Sequence, residues 1–309
     1  MRIIIAGGTG FIGRHLCHEL LQRQHDLTVL TRNPNRGGKL LPAPIHLQEW
    51  DYSSGGSLDK ILLGADAVIN LAGAPIADGR WTPSRKNILR ASRIDTTRMI
   101  VNAVSNLPMT VRPNVLINAS GIGYYGLESL HAVDELAKPG NGFLADLCVA
   151  WEEEALKATD YGVRTVCLRT SMVLGKDGGA LKKMLLPFYL FMGGPIGDGK
   201  QPVSWIHVQD HVRLIATILE HDFYKGPVNA SSPHPVTMKE FCAELGKALG
   251  RPSWLPVPAF VLKIGLGELS TLMTHGQAVT PALAQKLGFT FTYPHLQSAL
   301  SAIVNKERQ

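Results

Sequence analysis

The chain has 309 residues, of which 45% are hydrophobic and 18% charged, as in a globular enzyme with one large domain or two closely associated domains. Its net charge of +6 comes from basic residues that are spread along the chain, which argues against a nucleic-acid-binding tract. The longest apolar stretches, 185–196 and 255–273, are interrupted by proline, glycine, lysine or glutamate, so neither predicts a membrane span.

The four cysteines, Cys17, Cys148, Cys167 and Cys242, lie far apart and form no Cys-x-x-Cys pair. Three of them fall within apolar helix or strand patterns, which predicts reduced core residues rather than disulfides or metal ligands. Because the first predicted strand begins at residue 2, we expect no signal peptide. These features predict a cytoplasmic protein with no bound metal.

The first predicted element is a strand from residue 2, whose apolar run at 3–6 leads directly into Gly7, Gly10 and Gly13 and then into a helical pattern. This order is typical of a dinucleotide-binding βα unit. Gly7 allows the sharp turn, Gly10 lets the backbone approach a pyrophosphate, and Gly13 lets the helix pack closely on the strand. The free N–H groups at the helix N-terminus attract phosphates. The alternative interpretation is an ordinary glycine-rich turn.

Strand and helix patterns then alternate through the first half of the chain. This alternation predicts an α/β fold of the Rossmann type, with a doubly wound parallel sheet and helices on both faces. The remaining strands of this half are predicted at residues 27–31, 45–50, 67–71, 115–119 and 164–168, and long helices at 84–104 and 144–159.

The character of the chain changes after Leu174, where glycine-rich loops surround an apolar helix at 181–191. Further strands are predicted at 203–208 and 226–229, and further helices at 209–220, 237–249, 259–273 and 295–304, with a short helix led by Pro281. Thr237 and Glu240 form a capping box at the start of the helix at 237–249. We therefore predict a cofactor-binding Rossmann domain at 1–174, completed by about 203–229, and a smaller substrate-binding lobe at 175–202 and 230–309.

The end of the second strand distinguishes NAD from NADP, because an acidic residue there binds the ribose 2′-hydroxyl and an arginine accommodates the 2′-phosphate. Here the strand ends in Thr31 and Arg32 without an acid, which predicts NADP(H). The alternative is an exposed arginine in the Asn33-Pro34 turn. The small residues after the fourth strand and an arginine along the next helix are expected to flank the same cofactor. The predicted cofactor-binding residues are Gly7, Thr9, Gly10, Phe11, Ile12, Gly13, Thr31, Arg32, Leu71, Ala72, Gly73 and Arg93.

Taken together, the motifs resemble those of an atypical extended short-chain dehydrogenase/reductase, in the subgroup named the epimerase family. The motifs shared with the extended type are Gly-Gly-Thr-Gly-Phe-Ile-Gly at 7–13, Asn-Leu-Ala-Gly at 70–73, the Ser120 turn, Leu-Arg-Thr at 168–170 and Trp-Ile-His-Val-x-Asp at 205–210. The subgroup motifs are Gly-Tyr-Tyr-Gly at 123–126, Trp151-Glu152, Val-Leu-Gly at 173–175 with Gly178-Gly179, Gly-Gly-Pro-Ile-Gly at 193–197, and Gly276-Gln277 with Pro281. The resemblance covers the whole chain and implies a Rossmann domain, a preference for NADP(H) and a smaller C-terminal substrate domain. It implies no particular substrate.

The chain departs from this family at the catalytic pair. Short-chain dehydrogenases use Tyr-x-x-x-Lys on the helix after the fifth strand, where the lysine lowers the pKa of the tyrosine that acts as acid and base. None of the seven tyrosines here is followed by a lysine four residues later. Alignment of the helix on Trp151 and Glu152 places Leu144 and Cys148 at these two positions.

Three hydroxyl groups are candidates to replace the missing pair. Ser120 follows the fifth strand, where a hydroxyl can polarise a carbonyl, and Tyr124 and Tyr125 follow a few residues later. Either tyrosine is suited to donate a proton to an alkoxide. The alternative interpretation is that these tyrosines form an aromatic wall with a structural hydrogen bond.

Other residues are expected to have structural roles. His207 is predicted to be a structural histidine rather than an acid–base group, and Asp210 to cap the helix that follows it. Trp205 and Phe188 are expected either to line the substrate pocket or to belong to the core.

The leading hypothesis is an NADP(H)-dependent oxidoreductase of the extended short-chain type, acting on an unknown carbonyl or alcohol. One alternative is a nucleotide-sugar epimerase or dehydratase, which needs the strong tyrosinate base that is missing here. A second alternative is a protein that binds NADPH and regulates without turnover. We expect a small-molecule substrate, no nucleic-acid or membrane partner, and a homodimer through the long helices as an analogy with the fold.

Overall fold

A computed structural model describes residues 1–51, 58–127 and 132–305. Its centre is a seven-stranded sheet with the strand order β3-β2-β1-β4-β5-β6-β10, in which every neighbouring pair is parallel. These strands are β1 Arg2–Ala6, β2 Asp26–Thr31, β3 His46–Glu49, β4 Ala67–Asn70, β5 Val115–Gly121, β6 Arg164–Thr170 and β10 Gly226–Ala230. The predicted doubly wound parallel sheet is confirmed.

Four short strands form two further pairs outside this sheet. They are β7 Met172–Leu174, β8 Pro202–Val203, β9 Trp205–His207 and β11 Val236–Thr237. Strand β7 pairs in parallel with β9, and β8 pairs antiparallel with β11. The single strand predicted at 203–208 is therefore divided at Ser204. The hydroxyl of Ser204 donates to the carbonyl oxygen of Gln277 and accepts from the amide of Val279, so a third segment binds where the chain changes partner.

The helices lie on both faces of the central sheet and in the C-terminal part of the chain. They are α1 Phe11–Gln22, α2 Pro34–Gly38, α3 Asp59–Leu62, α4 Pro83–Asn106, α5 Phe143–Leu156, α6 Gly179–Tyr189, α7 Val208–Glu220, α8 Met238–Leu249, α9 Ala259–Leu266, α10 Thr271–Thr274, α11 Ala282–Lys286 and α12 Leu296–Asn305. Among the helices in the described residues, none is both long and apolar enough to cross a membrane.

The helix predicted at 259–273 is broken into α9, a 3₁₀ turn at Gly267–Ser270 and α10. Gly267 has a φ of +62°, a left-handed conformation that ends α9. The capping box of Thr237 and Glu240 at the start of α8 is present as predicted.

The sheet is buried between two apolar clusters. Helices α1 and α7 supply one cluster, and α3 and α4 supply the other. A third cluster, in the C-terminal part of the chain, contains both Trp205 and Phe188, which are at most 2% exposed. These two residues therefore belong to the core. All four cysteines are buried and unpaired, as predicted.

Candidate functional site

Most predicted site residues follow strands that are neighbours in the sheet. The order β2-β1-β4-β5 places the ends of these four parallel strands along one edge. Arg32 follows β2, Gly7 follows β1, Leu71 follows β4, and Tyr124 lies just beyond β5. Ligands of open α/β sheets bind at this carboxyl edge, so the fold brings these separate segments of the sequence to one cleft.

The turn after β1 is compact. Gly7 has a φ of +80°, and a Cβ on it would lie 2.7 Å from the carbonyl carbon of Leu71. A Cβ on Gly13 would lie 2.4 Å from the carbonyl oxygen of Gly7. Gly10 is exposed and begins α1 without any side-chain capping hydrogen bond, and a Cβ there would meet only the Gly7 oxygen, at 3.2 Å. The N-terminus of α1 thus presents uncapped N–H groups beside a glycine with open space, as a pyrophosphate requires.

A second glycine loop packs against the first. Cβ atoms on Gly175 and Gly178 would lie 2.6 and 2.4 Å from ring atoms of Phe11, in the first turn of α1. The carboxylate of Asp177 between them pairs with Arg14, at 3.0 Å. The loop between β7 and α6 is therefore held against the start of α1. Sequence reasoning identified these glycines only as a family motif, and it did not predict this contact.

The predicted residues Thr9 and Ile12 complete this region. Thr9 lies within the turn and Ile12 in the first turn of α1, and both are half-buried. Thr9 lies one residue before Gly10 and Ile12 two residues after it, on the segment that begins the helix. They stay predicted cofactor-binding residues.

Arg32 extends from the end of β2 into solvent. Its neighbour Asn33 caps α2 by accepting a hydrogen bond from the amide of Arg36, at 2.9 Å. The hydroxyl of Thr31 accepts from the amide of Asn33. Within the described residues Arg32 has no ion-pair partner, and no acidic residue follows the strand directly. The guanidinium is therefore available to an anion such as a 2′-phosphate.

A buried amide network shapes the turn after β4. The side-chain nitrogen of Asn70 donates to Thr97 and to Asn118, at 2.9 and 2.7 Å, and its oxygen accepts from the amide of Ala72. The indole of Trp151 donates to the same Thr97 hydroxyl. All of these polar side chains are satisfied, so the path of residues 71–73 is rigidly defined. The sequence indicated Asn70 as a polar residue that ends an apolar strand and as the first residue of the Asn-Leu-Ala-Gly motif, but not its hydrogen-bond partners.

Arg93 lies beside this turn. Its guanidinium donates to the carbonyl oxygens of Ala74 and Leu89, at 3.0 and 3.1 Å, and stacks over the ring of Trp151. Burial lowers the pKa of Arg93 to about 10, which still leaves it charged at neutral pH. A Cβ on Gly73 would lie 3.1 Å from its guanidinium carbon. Arg93 therefore holds the loop after β4, and its contact with the cofactor stays a prediction.

Ser120 and Glu152 form part of a buried charged group behind the cleft. The hydroxyl of Ser120 donates to Glu152 at 2.6 Å. Arg169, from β6, donates to both carboxylate oxygens of Glu152, at 2.9 and 2.8 Å. Burial alone lowers the pKa of Arg169, but its hydrogen bonds and charge attraction to Glu152 raise it above the ordinary value, so the guanidinium stays charged. Sequence reasoning did not assign this ion pair.

Tyr125 belongs to the same group. Its hydroxyl accepts from Arg169 at 3.0 Å and donates to the side-chain oxygen of Asn229, on β10, at 2.7 Å. Burial raises the pKa of Tyr125 to about 12 despite the nearby arginine. The backbone N–H of Asn229 donates to the carboxylate of Glu135, at 3.0 Å. Both hydrogen-bonding capacities of the Tyr125 hydroxyl are thus used within the protein.

Tyr124 differs from its neighbour. Its ring lies against the guanidinium of Arg169, 3.4 Å from ring centroid to guanidinium carbon, and meets the ring of Tyr125 edge-on. Tyr124 is half-buried, and no hydrogen bond of its hydroxyl is found within the described residues. Of the three predicted catalytic hydroxyls, this one is the most available to a substrate. The catalytic assignments of Ser120, Tyr124 and Tyr125 stay predictions.

The family's catalytic pair is replaced by apolar contacts. A Cβ on Gly123 would lie 3.0 Å from Cβ of Leu144, and a Cβ on Gly121 would lie 3.8 Å from the sulfur of Cys148. Leu144 and Cys148, one turn apart on α5, therefore face the end of β5. Burial raises the pKa of Cys148 to about 11, so it is a neutral thiol.

His207 and Asp210 are both structural, but one role was predicted incorrectly. The N-cap of α7 is His207, whose Nδ1 accepts from the amide of Gln209 at 3.1 Å. Asp210 is fully buried in the first turn, and its carboxylate accepts from the amides of Thr292 and Tyr293, each at 2.8 Å. Asp210 therefore anchors the segment before α12 instead of capping α7.

Comparison with known proteins finds relatives that align with nearly the whole chain. The model of the NAD dependent epimerase/dehydratase family matches residues 3–230, and a domain of unknown function, DUF1731, matches residues 257–303. The chain is 42% identical over 309 residues to the chloroplastic epimerase family protein SDR39U1 homolog of Arabidopsis thaliana, covering 98% of this chain and 87% of that protein. It is 38% identical over 306 residues to the epimerase family protein YfhF of Bacillus subtilis, covering 98% of each.

Solved structures show the same architecture. The crystal structure of human epimerase family protein SDR39U1 (isoform 2) with NADPH matches with a TM-score of 0.88 and 32% identity, covering 99% of each chain. A UDP-glucuronic acid 4-epimerase from Bacillus cereus in complex with NAD matches with a TM-score of 0.80 over 100% of this chain. Its identity of 19% shows a common fold alone.

Proposed function

Because the chain belongs to the NAD-dependent epimerase/dehydratase family, we propose that it is an NADP(H)-dependent oxidoreductase acting on a carbonyl or alcohol group of a small molecule. The observation that carries the cofactor proposal is the uncapped glycine turn before α1, together with Arg32 at the end of the neighbouring strand, which makes no ion pair with any described residue. When bound, NADPH supplies the hydride for such a reaction. The human relative, whose structure contains NADPH, supports this choice of cofactor.

The chain's own residues bind the cofactor and donate the proton. The N–H groups at the start of α1 hold the pyrophosphate, and Arg32 holds the 2′-phosphate. The buried Asn70 network holds the backbone at 71–73, which would line the cofactor on its adenosine side. Tyr124 donates its phenolic proton to the oxygen of the substrate carbonyl as the alcohol forms.

The epimerase alternative receives less support from this site. Epimerisation needs a base that removes a proton from a sugar hydroxyl and a cation that stabilises this base. Leu144 has no ionisable group, and the pKa of Cys148, raised to about 11 by burial, keeps the thiol protonated. The positions of the usual base and cation thus offer neither group.

One observation favours a second candidate, a protein that binds NADPH and regulates without turnover. The hydroxyls of Ser120 and Tyr125 are both committed to buried partners, which leaves Tyr124 as the single predicted donor with an available hydroxyl in the described chain. If wild-type protein binds NADPH and consumes none with any carbonyl substrate, this second candidate replaces the first.

Replacement of Arg32 by alanine tests the cofactor proposal. We expect the dissociation constant for NADPH to rise about tenfold, because a solvent-screened charge-assisted contact to the 2′-phosphate is lost. The affinity for NADH should stay unchanged, since NADH lacks this phosphate. Fluorescence titration of both cofactors measures the two values.

Arg36→Ala is the matched control, because Arg36 is an exposed arginine in the same turn region. It should leave NADPH binding almost unaltered. Equal binding of NADPH and NADH by the wild-type protein would contradict the assignment of Arg32. Absence of binding for both cofactors would overturn the oxidoreductase proposal itself.

A further inference from the structure

Two segments of the C-terminal part of the chain expose large apolar side chains. The first is the end of α6 and the residues after it, and the second runs from residue 251 into α9. Six residues define this apolar surface, and each is between 50% and 73% exposed: Leu190, Phe191, Met192, Trp254, Phe260 and Ile264. Isolated exposed apolar residues are ordinary in proteins, but a group of this size marks a site of interaction.

The two segments are neighbours in space. The amide of Leu255 donates to the carbonyl oxygen of Gly193, at 3.2 Å, and the amide of Val257 donates to Pro195, at 2.9 Å. The guanidinium of Arg251 lies over the ring of Phe191, 4.6 Å from its centroid. Phe191, Met192 and Trp254 thus lie in two adjacent loop segments, and α9 begins a few residues after Trp254.

Helix α9 is unusual in this protein. None of its eight residues is buried, although seven of the eight are uncharged and mostly large and apolar. An ordinary surface helix directs its apolar side chains to the core and its charged side chains to water. Lys263 is the one charged residue of α9, so most of the outward surface of this helix is apolar.

The two segments that form the apolar surface carry charges of one sign. Residues 179–192 and 251–266 contain four basic residues, Lys182, Lys183, Arg251 and Lys263, and no acidic residue. The chain as a whole has 31 basic and 25 acidic residues, so this local excess is not a general property. Within the described part of the chain, Lys183 pairs with Asp78, whereas Lys182 and Lys263 make no ion pair.

We propose that this apolar surface docks on a membrane that contains anionic lipids. The side chains of Phe191, Trp254, Phe260 and Ile264 enter the boundary between headgroups and acyl chains, while Lys182 and Lys263 contact lipid phosphates. Basic residues beside exposed aromatic and aliphatic ones are the features of surfaces that lie in the membrane interface. The sequence alone led us to expect no membrane partner, because the apolar stretches 185–196 and 255–273 are interrupted by proline, glycine, lysine or glutamate.

The same charges argue against a second copy of the chain as the occupant. Two such surfaces brought face to face would place unopposed lysines of both copies near one another in a region that excludes water. Like charges in such a contact destabilise it. An anionic lipid surface instead offers neutralisation together with an apolar phase.

Vesicle flotation with the full-length protein tests the proposal. The probes are vesicles of phosphatidylcholine alone and of phosphatidylcholine mixed equally with phosphatidylglycerol. We expect binding to the mixed vesicles, with weakening at high salt, and much less binding to the neutral ones. The double variant K182E/K263E should weaken binding about 25-fold or more, since each basic residue near an anionic surface contributes roughly a factor of five.

The apolar contribution is tested by the double variant F260S/I264S, which should also lose binding. Phe223→Ser and Lys225→Glu, two exposed positions before β10, are the matched controls and should bind as the wild type does. Because every changed residue is exposed, all variants should melt at the wild-type temperature and bind NADPH equally.

Three outcomes overturn the proposal. The first is absence of wild-type binding to the anionic vesicles. The second is that K182E/K263E and F260S/I264S bind the anionic vesicles as well as the two control variants do. The third is a concentration-dependent dimer in sedimentation that F260S/I264S abolishes, which would show that a second copy covers the surface.

Discussion

Replacement of Glu152 by alanine is expected to lower the free energy of unfolding by about 3–5 kcal/mol, because it leaves the buried Arg169 without its counter-charge. The two side chains are 7% and 4% exposed and share two hydrogen bonds, so water cannot replace the lost carboxylate. Ser120 loses its acceptor as well. Urea unfolding followed by circular dichroism measures the change.

Glu153→Ala is the control for this prediction, since Glu153 is the next residue on α5 and is exposed. It should change the unfolding free energy by less than about 0.5 kcal/mol. The paired replacement E152L/R169M should lose less stability than Glu152→Ala, because it removes both charges together. A cost for Glu152→Ala no larger than that of Glu153→Ala would show that the ion pair is not a main support of this region.

Replacement of Tyr124 by phenylalanine is expected to reduce turnover of a carbonyl substrate roughly 100-fold or more, because a positioned proton donor is removed. The phenyl ring can still stack on Arg169, so the surrounding structure should be kept. The measurement is the rate of NADPH oxidation with the carbonyl compound that the wild-type protein reduces fastest. The dissociation constant for NADPH should not change.

Tyr125→Phe is the informative comparison. Its hydroxyl bridges Arg169 and Asn229, so its loss should reduce stability by about 1–3 kcal/mol while leaving a larger share of turnover. If Tyr124→Phe keeps full activity and Tyr125→Phe loses it, the proton donor has been assigned to the wrong residue. If the double variant Y124F/Y125F remains active, neither tyrosine is the donor.

The strands and the glycine turn after β1 could be predicted from sequence because their signals are local. Continuous apolar runs that alternate with helical patterns predicted the parallel sheet, and every predicted strand of the first half is present. The spacing of Gly7, Gly10 and Gly13 predicted the turn. A Cβ on any of these glycines would lie close to backbone atoms a few residues away or at the end of the adjacent strand. The family resemblance, based on motifs spread along the whole chain, is confirmed by the matched family model.

The hydrogen-bond partners of the buried side chains could not be predicted from the sequence. Nothing in residues 120–125 indicates that Ser120 and Tyr125 turn toward Glu152, Arg169 and Asn229, which come from α5, β6 and β10. The role of Asp210 was predicted incorrectly for the same reason. Its amide donors lie more than eighty residues further along the chain.

The sequence by itself determined the fold, the glycine turn after β1 and the loss of the usual tyrosine–lysine pair, because backbone conformation and residue identity are local properties. Only the tertiary structure decided which hydroxyl near β5 remains available, and which apolar side chains stay in water. Both depend on long-range packing: a buried ion pair draws Ser120 and Tyr125 inward, and helix α9, apolar in sequence, buries none of its residues.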